Sequence, residues 1–234
     1  MKVIVTGASK GIGRGIALTL AKEGYIVGAL ARSEDELKSL QEEIQSLGQT
    51  CHVAPCDIRD YYATQSAVRE LIFKMHGLDV LINNAGLVIR QDVTEISLED
   101  WHAVIETNVN GVFYTIRAAL DTFMEQGKGH IINLSSISGK VPLPGGSCYA
   151  ASKFAVTGFS QSIFQELRDH GIKVTTIYPG SVDSASHRHD PESDHAWKVQ
   201  PEEVGQACID VIQTRHDCAI SELEIRPLGR PPKG

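Results

Sequence analysis

The chain has 234 residues, 42% of them hydrophobic, 22% charged and 6% aromatic, which is enough apolar material for one large core. Its formal net charge of −7 lacks the basic balance that phosphate-backbone binding needs, so nucleic acid is not an expected partner. No apolar run approaches the roughly 18 residues of a membrane span, and Met1-Lys2 leads straight into Val-Ile-Val without room for a signal-peptide core. Cys51, Cys56, Cys148, Cys208 and Cys218 are odd in number and form no CxxC pair. That pattern favours reduced thiols in a cytoplasmic chain over a disulfide framework or a zinc site.

Short β-branched runs alternate with longer amphipathic segments in chain order. Residues 2–5 read as a strand, 11–23 as a helix ending at Gly24, and 26–30 as the second strand. A polar helix over 34–46 stops at Gly48; a strand near 50–54, a helix near 61–75 and a strand at 80–82 follow. A long helix is expected across 101–124, a strand at 130–134, a helix from 149 to about 169 and a strand at 173–177. Residues 201–213 and 219–225 supply the last helix and strand. Strands separated by helical stretches of this length imply right-handed βαβ units. The expected fold is therefore a doubly wound, Rossmann-type α/β domain with a parallel sheet, spanning 1–234 as a single domain.

Between the first strand and helix, glycines stand at 7, 11 and 13 in Val5-Thr-Gly-Ala-Ser-Lys-Gly-Ile-Gly13. Gly7 permits a tight turn there, while Gly11 and Gly13 let backbone N–H groups approach a pyrophosphate at the helix N-terminus. The spacing is G-x-x-x-G-x-G rather than the commoner G-x-G-x-x-G. The end of the second strand, Ala29-Leu-Ala-Arg32-Ser33, carries no carboxylate before Glu34. Arg32 and Lys10 are placed to embrace a 2′-phosphate by charge-assisted contacts, which favours NADP over NAD.

Tyr149-Ala-Ala-Ser-Lys153 puts a phenol and an ammonium at i and i+4, on one helix face. A free phenol, with a pKa near ~10, exchanges protons poorly at neutral pH, and a neighbouring ammonium is expected to lower that value. Asn83-Asn-Ala-Gly86 closes the fourth strand, and Ser136 ends the fifth, 13 residues before Tyr149. Asn108 sits inside the long helix, a poor place for it on propensity, and Pro179-Gly180 breaks the sixth strand. These positions gather at C-terminal strand ends, where open α/β sheets bind ligands.

On these residues the sequence resembles the short-chain dehydrogenase/reductase family over essentially its whole length. The matching positions are Thr6-Gly-Ala-Ser-Lys-Gly-Ile-Gly13, Asp57, Asn83-Asn-Ala-Gly86, Asn108, Ser136, Tyr149, Lys153 and Pro179-Gly180. The resemblance implies a catalytic tetrad of Asn108, Ser136, Tyr149 and Lys153. Tyr149 would exchange the proton and Ser136 polarise the carbonyl; Lys153 would tune the phenol and bind the nicotinamide ribose, and Asn108 would hold a relay water. It further implies cofactor contacts from Gly7, Ser9, Lys10, Gly11, Ile12 and Gly13 in the turn, with Arg32, Asp57 and Ile58 at the adenosine end. Asn84, Gly86, Tyr149, Lys153, Pro179, Gly180 and Val182 would complete the NADP(H) site, with no metal.

Two departures from the family pattern stand out: Ser184 replaces a frequent Thr, and Ser221-Glu-Leu-Glu-Ile-Arg-Pro replaces a glycine-rich C-terminus. Residues 183–200 read as a substrate lid, whose histidines and aspartates also admit a metal reading, and Trp197 reads as an anchor for the last helix. Cys148 reads as a buried thiol. The expected activity is NADPH-dependent reduction of a small carbonyl compound, reversible on a secondary alcohol, by a homodimer or homotetramer associating through the 101–124 and 149–169 helices. A 3-oxoacyl-[acyl-carrier-protein] reductase is the alternative, with Arg117 and Lys128 as a thin basic patch. A non-catalytic nucleotide sensor is the reading from another class, disfavoured because all four catalytic positions are intact.

Overall fold

A computed structural model of the protein describes residues 1–184 and 196–229. Seven parallel strands form one sheet: β1 (Lys2–Thr6), β2 (Ile26–Ala31), β3 (Cys51–Pro55), β4 (Val80–Asn83), β5 (Gly129–Leu134), β6 (Ile172–Pro179) and β7 (Glu222–Ile225). Their order is β3-β2-β1-β4-β5-β6-β7, so the chain reverses its winding between β1 and β4. That switch point opens a crevice at the C-terminal strand ends.

The helices are α1 (Gly11–Lys22), α2 (Glu34–Ser46), α3 (Tyr61–Met75), α4 (Leu98–Ile105), α5 (Gly111–Gln126), α6 (Ser147–Leu167) and α7 (Pro201–Ile212). Alternation along the strands sends side chains to opposite faces and produces two cores. Val3, Val5 and Ile82 pack with Ile16 and Leu20 of α1, Leu37 of α2 and Val204 of α7 on one face. Ile4 and Leu81 pack with Leu71 of α3, Phe123 of α5 and Val156 of α6 on the other. A Cβ on Gly15 would lie 2.4 Å from Pro201 Cβ, and one on Gly205 would lie 2.7 Å from Thr19, so α1 and α7 touch backbone to side chain.

The long helix expected across 101–124 is instead two α-helices joined by a π-helical turn, Glu106–Asn110. Ser97 caps α4 by accepting from Asp100 N, and Gly127 in the left-handed region ends α5. The last strand is shorter than expected, and the sixth helix runs from Ser147 to Leu167 before a 3₁₀ turn at Arg168–His170. Among the described residues no helix is long and apolar enough to cross a membrane. Four cysteines are buried, Cys218 is exposed, and all five are free thiols. Most of the expected lid, with its His187, His189, Asp190, Asp194 and His195, lies outside the described residues.

Candidate active site

The glycine turn is built by close approach. Gly7 has φ +66°, and a Cβ there would meet Ala85 Cα at 2.7 Å; one on Gly13 would come within 2.2 Å of the Gly7 carbonyl oxygen. Lys10, the residue before α1, provides no side-chain cap, and no acidic residue occupies the helix's first turn. The first N–H groups of α1 and its positive dipole end therefore point into the cleft unspent. Thr6 and Asn84 lock this turn to the end of β4. Thr6 Oγ1 accepts from the N–H groups of Asn84 and Ala85 at 3.1 and 3.0 Å, and Asn84 Nδ2 donates to the carbonyls of Thr6 and Gly7.

At the far end of the cleft, Arg32 follows β2 and Asp57 follows β3. Arg59 grips Asp57 through Nε and Nη2, the shortest contact being 2.6 Å. This hydrogen-bonded guanidinium, helped by the charge of Arg32, holds the Asp57 carboxyl below its ordinary range. Arg59 carried no signal in the sequence, because an i, i+2 pair in a loop has no periodicity.

A buried polar chain fixes the centre. Thr115 on α5 donates to Asn83 Oδ1 at 2.6 Å; Asn83 donates to Asn133 at 2.9 Å; Asn133 donates to Ser160 on α6 at 2.8 Å. Each amide is satisfied across the sheet, so the ends of β4 and β5 hold one register relative to α6. Ser135 extends the same tie to the Lys153 carbonyl at 3.1 Å.

Ser136, Tyr149 and Lys153 converge on the cleft next to this chain. Ser136 Oγ accepts from Ser138 N at 3.1 Å and so caps the short turn Ile137–Gly139. Lys153 is buried and donates from Nζ to the Leu134 carbonyl at 2.8 Å, with Nζ 5.8 Å from the Tyr149 ring centre. Burial lowers the Lys153 pKa to about 8. The Tyr149 phenol differs from expectation. Burial raises its pKa, while the Ser136 side chain and the Arg90 charge pull it down. Desolvation of the phenol outweighs the opposing contacts.

Asn108 stands apart from the other three. It is buried behind the cleft wall, where Oδ1 accepts from Leu87 N at 2.7 Å and Nδ2 donates to the Leu87 carbonyl at 2.9 Å and to Ser152 Oγ at 3.0 Å. Its amide pins the segment after β4, and the π turn brings it to that segment. Gly86 lies beside it: a Cβ on it would stand in ordinary contact, 3.4 Å from Asn108 Oδ1 and 3.7 Å from Lys153 Nζ.

The other positions singled out in the sequence (Gly7, Ser9, Gly11, Ile12, Ile58, Pro179, Gly180 and Val182) all line the same cleft. Ser184 lines it too, and so does Trp197, which is half-buried on the cleft wall rather than serving as a core anchor. Cys148 is buried, with Sγ 3.9 Å from the Trp101 carbonyl, and burial raises its pKa. Among the described residues no group of three or more His, Cys, Asp or Glu side chains is arranged to hold a metal ion.

This geometry agrees with the comparison to known proteins: the family model described as short chain dehydrogenase matches residues 1–195. The chain belongs to that family. An uncharacterized oxidoreductase of Staphylococcus saprophyticus is 35% identical over 230 residues, covering 96% of each chain. Among solved members of this fold, an alcohol dehydrogenase from the archaeon Thermococcus sibiricus, complexed with 5-hydroxy-NADP, superposes with a TM-score of 0.91. It is 27% identical, over 100% of this chain and 99% of that one. The closed form of a serine dehydrogenase complexed with NADP+ superposes at 0.89 with 31% identity, over 100% and 98% of the two chains. As a short-chain dehydrogenase the protein is an oxidoreductase.

Proposed function

We propose that the protein is an NADP-dependent carbonyl reductase, reversible on secondary alcohols, acting in the cytoplasm. The observation that carries this reading is that the Tyr149 phenol, the Ser136 hydroxyl and the Lys153 ammonium line the same cleft as the glycine turn and its uncapped helix. The turn fits a dinucleotide: its walls leave no space for a Cβ at Gly7 or Gly13, so backbone N–H groups can reach a pyrophosphate directly. Lys10 and Arg32 would hold a 2′-phosphate, Asp57 and Ile58 the adenine, and Pro179, Gly180 and Val182 the carboxamide of the nicotinamide. The NADP complexes of the two solved relatives support this choice of cofactor. When bound, the reduced nicotinamide supplies the hydride.

The chain supplies position and the proton. Ser136 orients the substrate carbonyl toward Tyr149, and the phenol releases its proton to the carbonyl oxygen as negative charge develops there. A phenol kept protonated by burial suits that direction, and in alcohol oxidation the same group must take the proton back. Lys153 holds the end of β5 through Leu134 and offers the ammonium to the ribose. The Asn108 side chain has spent its hydrogen bonds on Leu87 and Ser152, so its part in a proton relay passes to its main chain.

Residues 183–200 are assigned as the substrate lid of one catalytic domain spanning 1–234. The half-exposed Phe113 on α5 and Phe154 on α6 support association of copies of the chain through those helices, as a dimer or tetramer. The rival substrate, a 3-oxoacyl thioester on acyl carrier protein, needs a basic docking patch, and Arg117 is already paired with Asp121 at 3.1 Å. The test is a screen of NADPH and NADH oxidation against ketones, aldehydes and 3-oxoacyl thioesters. Turnover of free carbonyl compounds with NADPH supports the reading. Turnover of carrier-bound thioesters alone, or no turnover with any member, overturns it.

A further inference from the structure

Ser136 opens a short 3₁₀ turn that starts in the cleft and ends outside it: Ser136, Ile137 and Ser138 line the cleft, and Gly139 and Lys140 do not. Gly139 N donates to the Ser136 carbonyl at 2.8 Å, while Lys140 N and Val141 N donate to the Ile137 carbonyl at 3.0 and 2.9 Å. These bonds make residues 136–141 one unit, so a displacement at Lys140 is carried through the backbone to Ser136. On its inner side the turn presses on α6. A Cβ on Gly139 would lie 2.4 Å from Ser135 Oγ and 2.8 Å from the Lys153 carbonyl oxygen.

Lys140 ties the outer end of the turn to the edge of the sheet. Its Nζ pairs with Glu222 at 2.9 Å and reaches Glu224 at 3.7 Å, both on β7. The same ammonium stands 4.0 Å from the centre of the Tyr178 ring, which is buried at the end of β6. Glu222 is held in turn from α6, where Gln161 Nε2 donates to its Oε1 at 2.8 Å. The hydrogen bond from Lys140 first, and that from Gln161 second, keep the Glu222 carboxyl below its ordinary range. An isolated surface ion pair fixes little. Here one ammonium meets two carboxylates and an aromatic face, with each of the three charged side chains only about a third exposed. Val141 and Leu143, which follow, are about half exposed, so the turn takes its outer hold from Lys140.

Carbonyl reduction as set out above gives Lys140 no contact with substrate or dinucleotide. We propose that Lys140 is a positioning residue for that reaction: by clamping the turn to Glu222 over the Tyr178 ring, it sets where the Ser136 hydroxyl stands relative to Tyr149. Ser136 Oγ accepts from Ser138 N at 3.1 Å, so the hydroxyl follows the turn when the turn moves. A shift of about 1 Å in an orienting group costs up to about 100-fold in rate.

This assignment rests on the carbonyl-reductase reading, and its test separates the two. The full chain is assayed with NADPH and the carbonyl compound it reduces fastest. Lys140→Met is expected to lower kcat about 5- to 20-fold while the NADPH dissociation constant stays within about twofold, and Lys140→Arg to recover most of the loss. In Ser136→Ala no hydroxyl is left to place, so adding Lys140→Met there should cost less than about twofold more. An unmoved kcat in Lys140→Met, no recovery in Lys140→Arg, or a larger further loss in the Ser136→Ala background overturns the assignment. If the parent reduces no compound, the carbonyl-reductase reading has failed, and amide hydrogen exchange decides the clamp by itself. The Ser138 and Gly139 N–H groups should then exchange at least about 3-fold faster in Lys140→Met and regain protection in Lys140→Arg; unchanged exchange refutes the clamp.

Discussion

Lys153 Nζ lies 5.8 Å from the centre of the Tyr149 ring and gives its hydrogen bond to the Leu134 carbonyl instead. The pair is therefore a buried phenol beside a buried cation, each shifted by its own desolvation toward the neutral form. This arrangement sets the pH behaviour expected of the site.

Carbonyl reduction needs the phenol protonated and the ammonium charged. Burial moves the Lys153 pKa down to about 8, so its proton leaves as pH rises through that value, well below the ordinary lysine range. The rate of reduction is expected to fall above about pH 8. A kcat/KM profile taken from pH 6 to 10 checks this; a flat profile across 7–9 contradicts it.

The nucleotide end makes a separate prediction. On the proposed NADP reading, Arg32→Asp would remove a charge-assisted partner of the 2′-phosphate and set a carboxylate against it. The NADPH-to-NADH ratio of kcat/KM should drop by roughly 10- to 100-fold. Equal use of the two cofactors by the parent protein refutes the premise.

Asn108 is expected to act through the fold. In Asn108→Ala the N–H and carbonyl of Leu87 lose their buried partner, at a cost of about 2–3 kcal/mol. Urea unfolding measures it. A loss under about 0.5 kcal/mol would show that the segment after β4 is held by other contacts.

A buried histidine ties the sheet to acid stability. His130 Nε2 stands 2.8 Å from Thr175 Oγ1, whose hydroxyl donates to the Ile220 carbonyl at 2.6 Å, so the imidazole is the donor of that pair. Burial first, and the charge of Lys173 second, lower its pKa to about 3. Below the ordinary value near 6.5 the unfolded chain takes up a proton that the folded chain refuses. This stability is therefore complete above pH 6.5 and lost as pH falls toward 3, at up to about 1.4 kcal/mol per pH unit. His130→Gln should flatten the slope of unfolding free energy between pH 4 and 6; an unchanged slope refutes the assignment.

The βαβ rhythm and the glycine turn were legible in the sequence because both are local: alternating and helical periodicities need no distant partner. The π turn at Glu106–Asn110 was not, since five residues are too few for a local change of helical period to show in the pattern. Asn108 looked misplaced in a helix, and that misfit was a sound signal of a special position. Its partner, Leu87, lies 21 residues away and could be found only after folding. The same holds for Tyr149. Helical spacing correctly brought Lys153 beside it, but the direction of the phenol's shift depends on how completely both side chains are buried, which spacing does not encode. Arg59 and Arg90 sit in loops, where no pattern distinguishes a cleft residue from ordinary surface charge.

The most direct test of the proton-transfer role is Tyr149→Phe, which keeps the ring and removes only the hydroxyl. NADPH should bind this variant with the parental dissociation constant, while kcat for carbonyl reduction falls by roughly 10²- to 10⁴-fold. Turnover near the parental rate with any substrate would contradict it.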